Sequence, residues 1–197
     1  MSPPDAYFTL TQAVVPRPIC WALSTNRESG FNLAPFSYFN AVASDPPLIM
    51  FSVGLQPDGS DKDTLTNIEQ RPEFVVNIAS VDQLAVLNQT SATLPYGSSE
   101  IDAGQIELAD AEGFSMPRVA DCKLAMMCER YHIQTIGNRK QSLIFGEIKS
   151  IYVEDGCAEI TDKGRLKIYA DRIKPLARLG AGEYVAFGDI LEAKRPD

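Results

Sequence analysis

The chain has 197 residues, 45% of them apolar and 22% charged, and a formal net charge of −8; this balance belongs to a globular domain with its own core and excludes a disordered, fibrous or disulfide-scaffolded chain. No run of Lys or Arg interrupts the acidic total, so the electrostatic footprint of nucleic-acid or anionic-membrane binding is absent. No apolar stretch reaches about eighteen residues, and the chain starts without a basic segment and apolar run; the expectation is a cytoplasmic protein, off the membrane, whose Cys20, Cys122, Cys128 and Cys157 follow no CxxC pattern and stay reduced.

Ile19 to Thr25 is apolar, β-branched and aromatic, Asn26 to Gly30 reads as a turn, and Phe31 to Ser44 as a second extended run, which together predict a β-hairpin. Asp45-Pro46-Pro47 interrupts the ladder because proline has no N–H to donate, and Leu48 to Val53 then predicts a buried strand. Lys62 to Ile68 suits a short helix capped by Asp63 or Thr64, and Phe74 to Ile78 another strand. Ser80-Val81-Asp82-Gln83 matches a Ser-x-x-Gln capping box, opening a helix with Leu84, Val86 and Leu87 on its apolar face and its end near Thr90. Leu94 to Pro117 has no clear period and predicts a long excursion of the kind that covers binding sites. Cys122 to Ile136 and Ser142 to Val153 predict a long hairpin across Gly137-Asn138-Arg139-Lys140, while the tail from Arg165 to Phe187 has no assignable pattern. Six or seven strands and two helices, joined by short turns without a βαβ rhythm, make an antiparallel barrel the natural architecture. Neither a repeat nor a composition shift divides the chain, so residues 1–197 are read as one domain.

No GxGxxG follows a strand and no Walker loop occurs, so a nucleotide must be held in some other way. His132 is the only histidine, which removes HExxH zinc chemistry and leaves a Ser/His/Asp hydrolase hanging on one residue. Cys122, Cys128 and His132 lie along one extended run with too little turn to wrap a metal, and none is expected. Trp21, the sole tryptophan, has apolar neighbours and reads as core.

Four segments stand in a distinctive order: Arg17-Pro18-Ile19-Cys20-Trp21-Ala22-Leu23-Ser24-Thr25, then Asn32-Leu33-Ala34-Pro35-Phe36-Ser37-Tyr38-Phe39-Asn40-Ala41-Val42, then Ser44-Asp45-Pro46-Pro47, then Lys62-Asp63-Thr64-Leu65-Thr66-Asn67-Ile68. In these, and on through Phe74-Val75-Val76-Asn77, Tyr96-Gly97-Ser98-Ser99-Glu100, Phe145-Gly146-Glu147 and Pro175-Leu176-Ala177-Arg178-Leu179-Gly180, the sequence resembles the flavin-reductase-like, FMN-binding split-barrel family and its flavoredoxin-like branch. The resemblance covers nearly the whole chain. It implies a mainly β protein with some α, a six-stranded antiparallel split β-barrel with short flanking helices, a homodimer, and one FMN in a groove at the dimer interface.

The resemblance places the FMN phosphate near Arg17, Lys62, Asp63 and Thr64, with Lys62 as point charge and Asp63 capping the helix, and the isoalloxazine against Ser37, Tyr38, Phe39 and Asn40, while Asn32 serves the ribityl chain or ring edge. The residue chemistry agrees: a phosphate dianion on an acidic protein needs grouped cations, hydroxyls and N–H donors, and Arg17, Ser24, Thr25, Lys62 and Thr64 are of those types. Taken singly, these residues have plain structural readings: Tyr38 and Phe39 as core, Ser24 and Thr25 as a strand end, Arg17 paired with an acid. Tyr96, Glu100 and Arg178 match the family in the loop and tail and are expected to shape the second substrate's pocket. The implied activity is hydride transfer from NAD(P)H through flavin N5 to a flavin or redox-protein acceptor, with no acid–base dyad required because the cofactor carries the reaction. An FMN electron carrier with little NAD(P)H oxidation, or a non-catalytic dimeric binding module on the same barrel, remain open beside it. Pyridoxamine-phosphate-oxidase-like chemistry would want an Arg/His-rich phosphate site that one histidine does not supply.

Overall fold

The computed structural model describes residues 1–27, 30–95, 98–194 and 196. It opens with a helix absent from the sequence reading, α1 (Pro3–Ala13). Its signals are local: Ser2 at the N-cap accepts the Asp5 N–H, Pro3 and Pro4 fill the first turn where no amide needs a partner, and Asp5 faces the positive helix end. Tyr7, Phe8 and Leu10 remain exposed on it, so no apolar face announces it as a core helix.

Seven strands follow: β1 (Cys20–Thr25), β2 (Phe31–Phe36), β3 (Phe39–Ser44), β4 (Pro47–Val53), β5 (Glu73–Ile78), β6 (Leu124–Ile136) and β7 (Gln141–Val153). They form one sheet in the order β2-β1-β5-β6-β7-β4-β3, every pair antiparallel. The run from Phe31 to Ser44 is broken at Ser37 and Tyr38, so it supplies two strands on opposite edges of the sheet. Asp45 and Pro46 make the turn between β3 and β4, with a cis Asp45–Pro46 bond.

The sheet curls until its first and sixth strands meet. Phe36 of β2 stacks on Phe51 of β4 at 5.4 Å between ring centroids, and Phe51 meets Phe74 of β5 edge-on at 5.8 Å. No hydrogen-bonded ladder joins β2 to β4, so the six strands from β2 to β4 form a barrel that is split rather than closed, with β3 continuing the order at the split.

Both faces of the sheet are covered, which explains the unbroken apolar runs in β1 and β5. Cys20, Ala22, Phe51, Phe74, Val76 and Ile144 fill the barrel interior with Ile68 of α2 (Asp63–Gln70). Trp21, Leu23, Val75 and Met127 face outward under Leu87, Ile101, Met116, Val119 and Leu176. The capping box opens a single 3₁₀ turn, Val81–Gln83, before α3 (Leu84–Gln89); Leu87 is buried there, whereas Leu84, read as apolar-face, is 37% exposed. The excursion before β6 is not structureless: it holds α4 (Glu100–Gly104) and a short ladder between Leu108–Ala109 and Arg118–Val119. In the unassigned tail, α5 (Ala170–Ile173) is followed by Ala177–Arg178, which pairs with both Arg17–Pro18 and Tyr184–Val185.

Among the described residues no helix is long and apolar enough to cross a membrane, and no cluster of His, Cys, Asp and Glu could hold a metal. All four cysteines are buried thiols; burial pushes Cys122 up to about 12 and Cys128 higher still, which keeps both unreactive.

Candidate functional site

The site is built around the start of α2. Lys62 occupies the N-cap position in extended conformation without a side-chain cap, Asp63 is the first helical residue and Thr64 the second. The expected capping by Asp63 or Thr64 therefore gives way to Lys62, whose side chain cannot accept an N–H bond. The start of the helix presents its partial positive charge at this point, with the Leu65 and Thr66 N–H groups turned back onto the Lys62 carbonyl.

A buried polar network fixes the helix in place. Asn32 of β2 donates to the Thr64 hydroxyl at 2.9 Å and reaches Ser24 of β1 at 3.5 Å, while Asn67 donates to Ser24 at 3.2 Å and to Asn26 Oδ1 at 3.0 Å. At the far end, Arg130 of β6 donates to the carbonyls of Ile68 at 3.0 Å and Glu69 at 2.6 Å, so a guanidinium satisfies acceptors the helix leaves open. Ser24 is thus a support that sets Asn32 and α2 rather than a wall of the site, and Thr25 contacts the Met116 sulfur at 3.8 Å.

In front of α2 lies a groove. One wall is β2, with Asn32, Ala34 and Phe36; the end is Lys62, Asp63 and Thr64; the opposite wall is the segment from Thr90 to Leu94. Glu100 closes the bottom. Its carboxylate accepts the Leu33 N–H at 3.1 Å, and the neighbouring Ser99 hydroxyl donates to the Phe31 carbonyl at 2.8 Å, so two side chains stand in for a missing partner strand along the edge of β2. Burial raises the Glu100 carboxyl above the ordinary carboxylate range and the charge of Asp63 adds to this, against the opposing pull of the Leu33 N–H.

This first concavity has a volume of only 140 Å³, but it does not end there. Pro35 and Ser91 are shared with a second concavity of 220 Å³ that contains Tyr7, Asn88, Arg178 and Tyr184. Ser37 leads from that into a third, more apolar one of 540 Å³ lined by Leu10, Pro18, Tyr38, Phe39, Asn40 and Met50. The candidate residues are therefore spread over three adjoining concavities, with Asn32, Lys62, Asp63, Thr64 and Glu100 in the first, Arg178 in the second and Ser37 to Asn40 in the third.

Arg17 is not grouped with Lys62. Its guanidinium donates to the carbonyls of Thr11, Val14 (2.6 Å) and Leu179 (2.6 Å) and reaches Ser37 Oγ at 3.5 Å, so its charge is spent on backbone acceptors and not on an acid. It also opposes the rise in the Tyr38 phenol, which burial and then Tyr7 push upward. Arg178 is held face-on to Tyr184, 4.3 Å from the ring centroid, and donates to the Ala181 carbonyl. Tyr96 lies outside the described residues.

Two features of the site escaped the sequence reading. The Thr90–Leu94 wall carries no motif; its one signal is Thr90, the predicted helix end, whose hydroxyl accepts the Trp21 indole N–H at 2.9 Å and donates to the Leu87 carbonyl at 2.8 Å. Asn67 looks like an ordinary helical polar residue until the fold brings Ser24 and Asn26 against it. His132 is exposed on β6, near Phe145 and away from the three concavities.

Comparisons with known proteins point one way. The flavin reductase like domain matches residues 12–172. An uncharacterized protein from Halalkalibacterium halodurans is 30% identical over 100% of this chain and 93% of its own length. Nitrilotriacetate monooxygenase component B from Bacillus cereus superposes with a TM-score of 0.87 at 33% identity, covering 98% of this chain and 95% of that one. The 2-nitrobenzoate 2-nitroreductase of Pseudomonas fluorescens gives a TM-score of 0.85 at 31% identity, covering 100% and 93%. The split barrel, the α2 N-terminus at the first of three adjoining concavities, and a domain match spanning most of the chain lead to one assignment: this protein belongs to the flavin reductase-like family.

Proposed function

We propose that the three concavities together bind FMN and that the protein is an NAD(P)H-dependent flavin oxidoreductase acting as a homodimer in the cytoplasm. The observation that carries this reading is the adjacency of three concavities, linked by the shared lining residues Pro35, Ser91 and Ser37, with chemically different ends. At one end Lys62 and the amides at the start of α2 suit a phosphate, which needs charge and N–H donors together. Pro35 and Ser91 mark the passage a ribityl chain would take, and Ser37 to Asn40 offer polar edges beside the apolar surfaces of Tyr38, Phe39 and Met50, as a ring system with one polar rim requires. The first concavity alone is too small for a nucleotide, and the extended placement accords with that.

When bound, the flavin supplies two-electron chemistry at its N5. The chain's own contribution is to hold and shield. Thr64 is fixed by Asn32, Lys62 neutralises the phosphate, and the Thr90–Leu94 segment closes the side of the groove against water. Arg178 and Glu100 face the concavities where a second substrate would enter. The homodimer is supported by the exposed Tyr7, Phe8 and Leu10 on α1 and Val14 just after it, beside the apolar third concavity. The redox reading accords with two of the solved structures above 30% identity, one a monooxygenase component and the other a nitroreductase.

The visible spectrum of purified protein with added FMN, followed by anaerobic NADH and then NADPH, tests this reading. Flavin bands that bleach at catalytic speed with either nucleotide support the reductase and identify its donor. Bands that bleach only with dithionite favour an electron carrier, and protein that takes up no flavin refutes the assignment.

A further inference from the structure

The charge around the groove is unusual for an anion site. Of its charged walls, Lys62 is positive, while Asp63 and Glu100 are negative. Among the described residues, the elements packed against α4 bring no cation: β2 reads Phe-Asn-Leu-Ala-Pro-Phe, α3 reads Leu-Ala-Val-Leu-Asn-Gln, and the Thr90–Leu94 wall is likewise uncharged. On α4 itself the other ionisable side chain is Asp102. Glu100 is 9% exposed, so solvent does little to screen it.

We propose that binding of a phosphate-bearing ligand in this groove is coupled to the uptake of one proton by Glu100. The inference rests on the flavin reading only for its choice of ligand. A dianion placed against Lys62 and Thr64 adds negative charge to a space that already holds two carboxylates, and the buried one yields by protonation. The balance is simple: one proton leaves solvent and joins a carboxylate oxygen, and no electrons move. Glu100 Oε2 accepts the Leu33 N–H and the carboxylate also accepts the residue's own backbone N–H; a carboxyl protonated on one oxygen keeps acceptor capacity, so the hydrogen bond holding α4 on the edge of β2 survives the change. Glu100 is in this sense a positioning residue with a titratable role. Its carboxyl already sits above its ordinary range, on the side from which further uptake is easy.

The test is calorimetric titration of FMN into the whole protein from about pH 5 to about pH 8, in buffers of different ionisation enthalpy, so that protons taken up are counted directly. The phosphate of FMN, with its own second ionisation near pH 6, releases protons when bound as a dianion, opposite in sign to Glu100. Net uptake by the wild type therefore already supports the coupling without any variant. Glu100→Gln keeps an acceptor for Leu33 and removes the ionisation; the expected result is that wild type takes up as much as one proton more than this variant. The wild-type affinity should also fall by up to about tenfold per pH unit across the window where the variant's does not. FMN binding with equal proton counts and parallel pH profiles in the two proteins overturns the proposal and leaves the flavin reading intact. Failure of FMN to bind the wild type at any pH removes both.

Discussion

Thr64 has almost no exposed surface, yet its hydroxyl is the hinge between the binding groove and the fold, since Asn32 donates to it and is in turn tied to Ser24. Thr64→Val keeps the shape and strands the Asn32 amide; we expect a loss of about 1–3 kcal/mol in urea unfolding, together with weaker flavin binding. Lys62→Ala removes charge without touching that network, and should weaken FMN binding by about 10- to 100-fold in a fluorescence titration while leaving the melting temperature nearly unchanged. Glu100 adds a pH signature to the unliganded protein. Its carboxyl is raised in the folded state, so the folded chain holds this proton more tightly than the unfolded one. The stabilisation is complete below the ordinary carboxylate range and disappears as pH rises through the raised value; Glu100→Gln should flatten that part of the stability–pH curve measured by denaturation. Trp21 offers a readout for all of these, because its indole N–H is bonded to Thr90 on the groove wall.

At the scale of elements, the ladder between β6 and β7 carries an irregularity inside β7, where the register shifts between Phe145 and Gly146. A Cβ on Gly146 would lie 2.4 Å from Phe74 Cζ, and Phe74 is locked against Phe51 with no exposed surface to move into. Gly146→Ala should therefore lower stability by about 1–3 kcal/mol, visible as a lower melting temperature. The strands of the barrel were legible because each is a short apolar run ended by a turn residue, and β1, β4, β5, β6 and β7 lie close to where those runs predict. What pattern alone did not reveal is instructive. The extended run after Gly30 has no sequence break at Ser37 and Tyr38; the break arises because the chain must leave one edge of the sheet and rejoin it at the other. The strands at Ala177–Arg178 and Tyr184–Val185 are too short to carry a period; they pair with each other, and Arg17–Pro18, from the far end of the chain, adds to the free side of Ala177–Arg178. The site was legible in the same uneven way. Lys62, Thr64 and Asn32 converge, whereas the Ser24 hydroxyl is buried and accepts from Asn32 and Asn67, which ties it to α2.

For the molecule as a whole, Arg17 is the knot that ties the start of the chain to its end. It gathers carbonyls from Thr11, Val14 and Leu179, and Gly180 packs so closely on α1 that a Cβ there would lie 2.4 Å from Gln12 Cγ. Arg17→Met would leave three acceptors without their donor; we expect hydrogen exchange to accelerate in α1 and around residues 177–185 together, while the barrel strands keep their protection.

The substitute pairing along β2 also bears on how the protein behaves at high concentration. A bare strand edge is a template on which a foreign strand can grow, and this one is already taken: the Phe31 carbonyl by Ser99, the Leu33 amide by Glu100, and Pro35 with no amide to offer. The opposite edge, β3, is bent by a register shift between Ala41 and Ala43 but is otherwise exposed. Any association by strand addition is thereby confined to one side of the molecule, the side that carries residues 39–44.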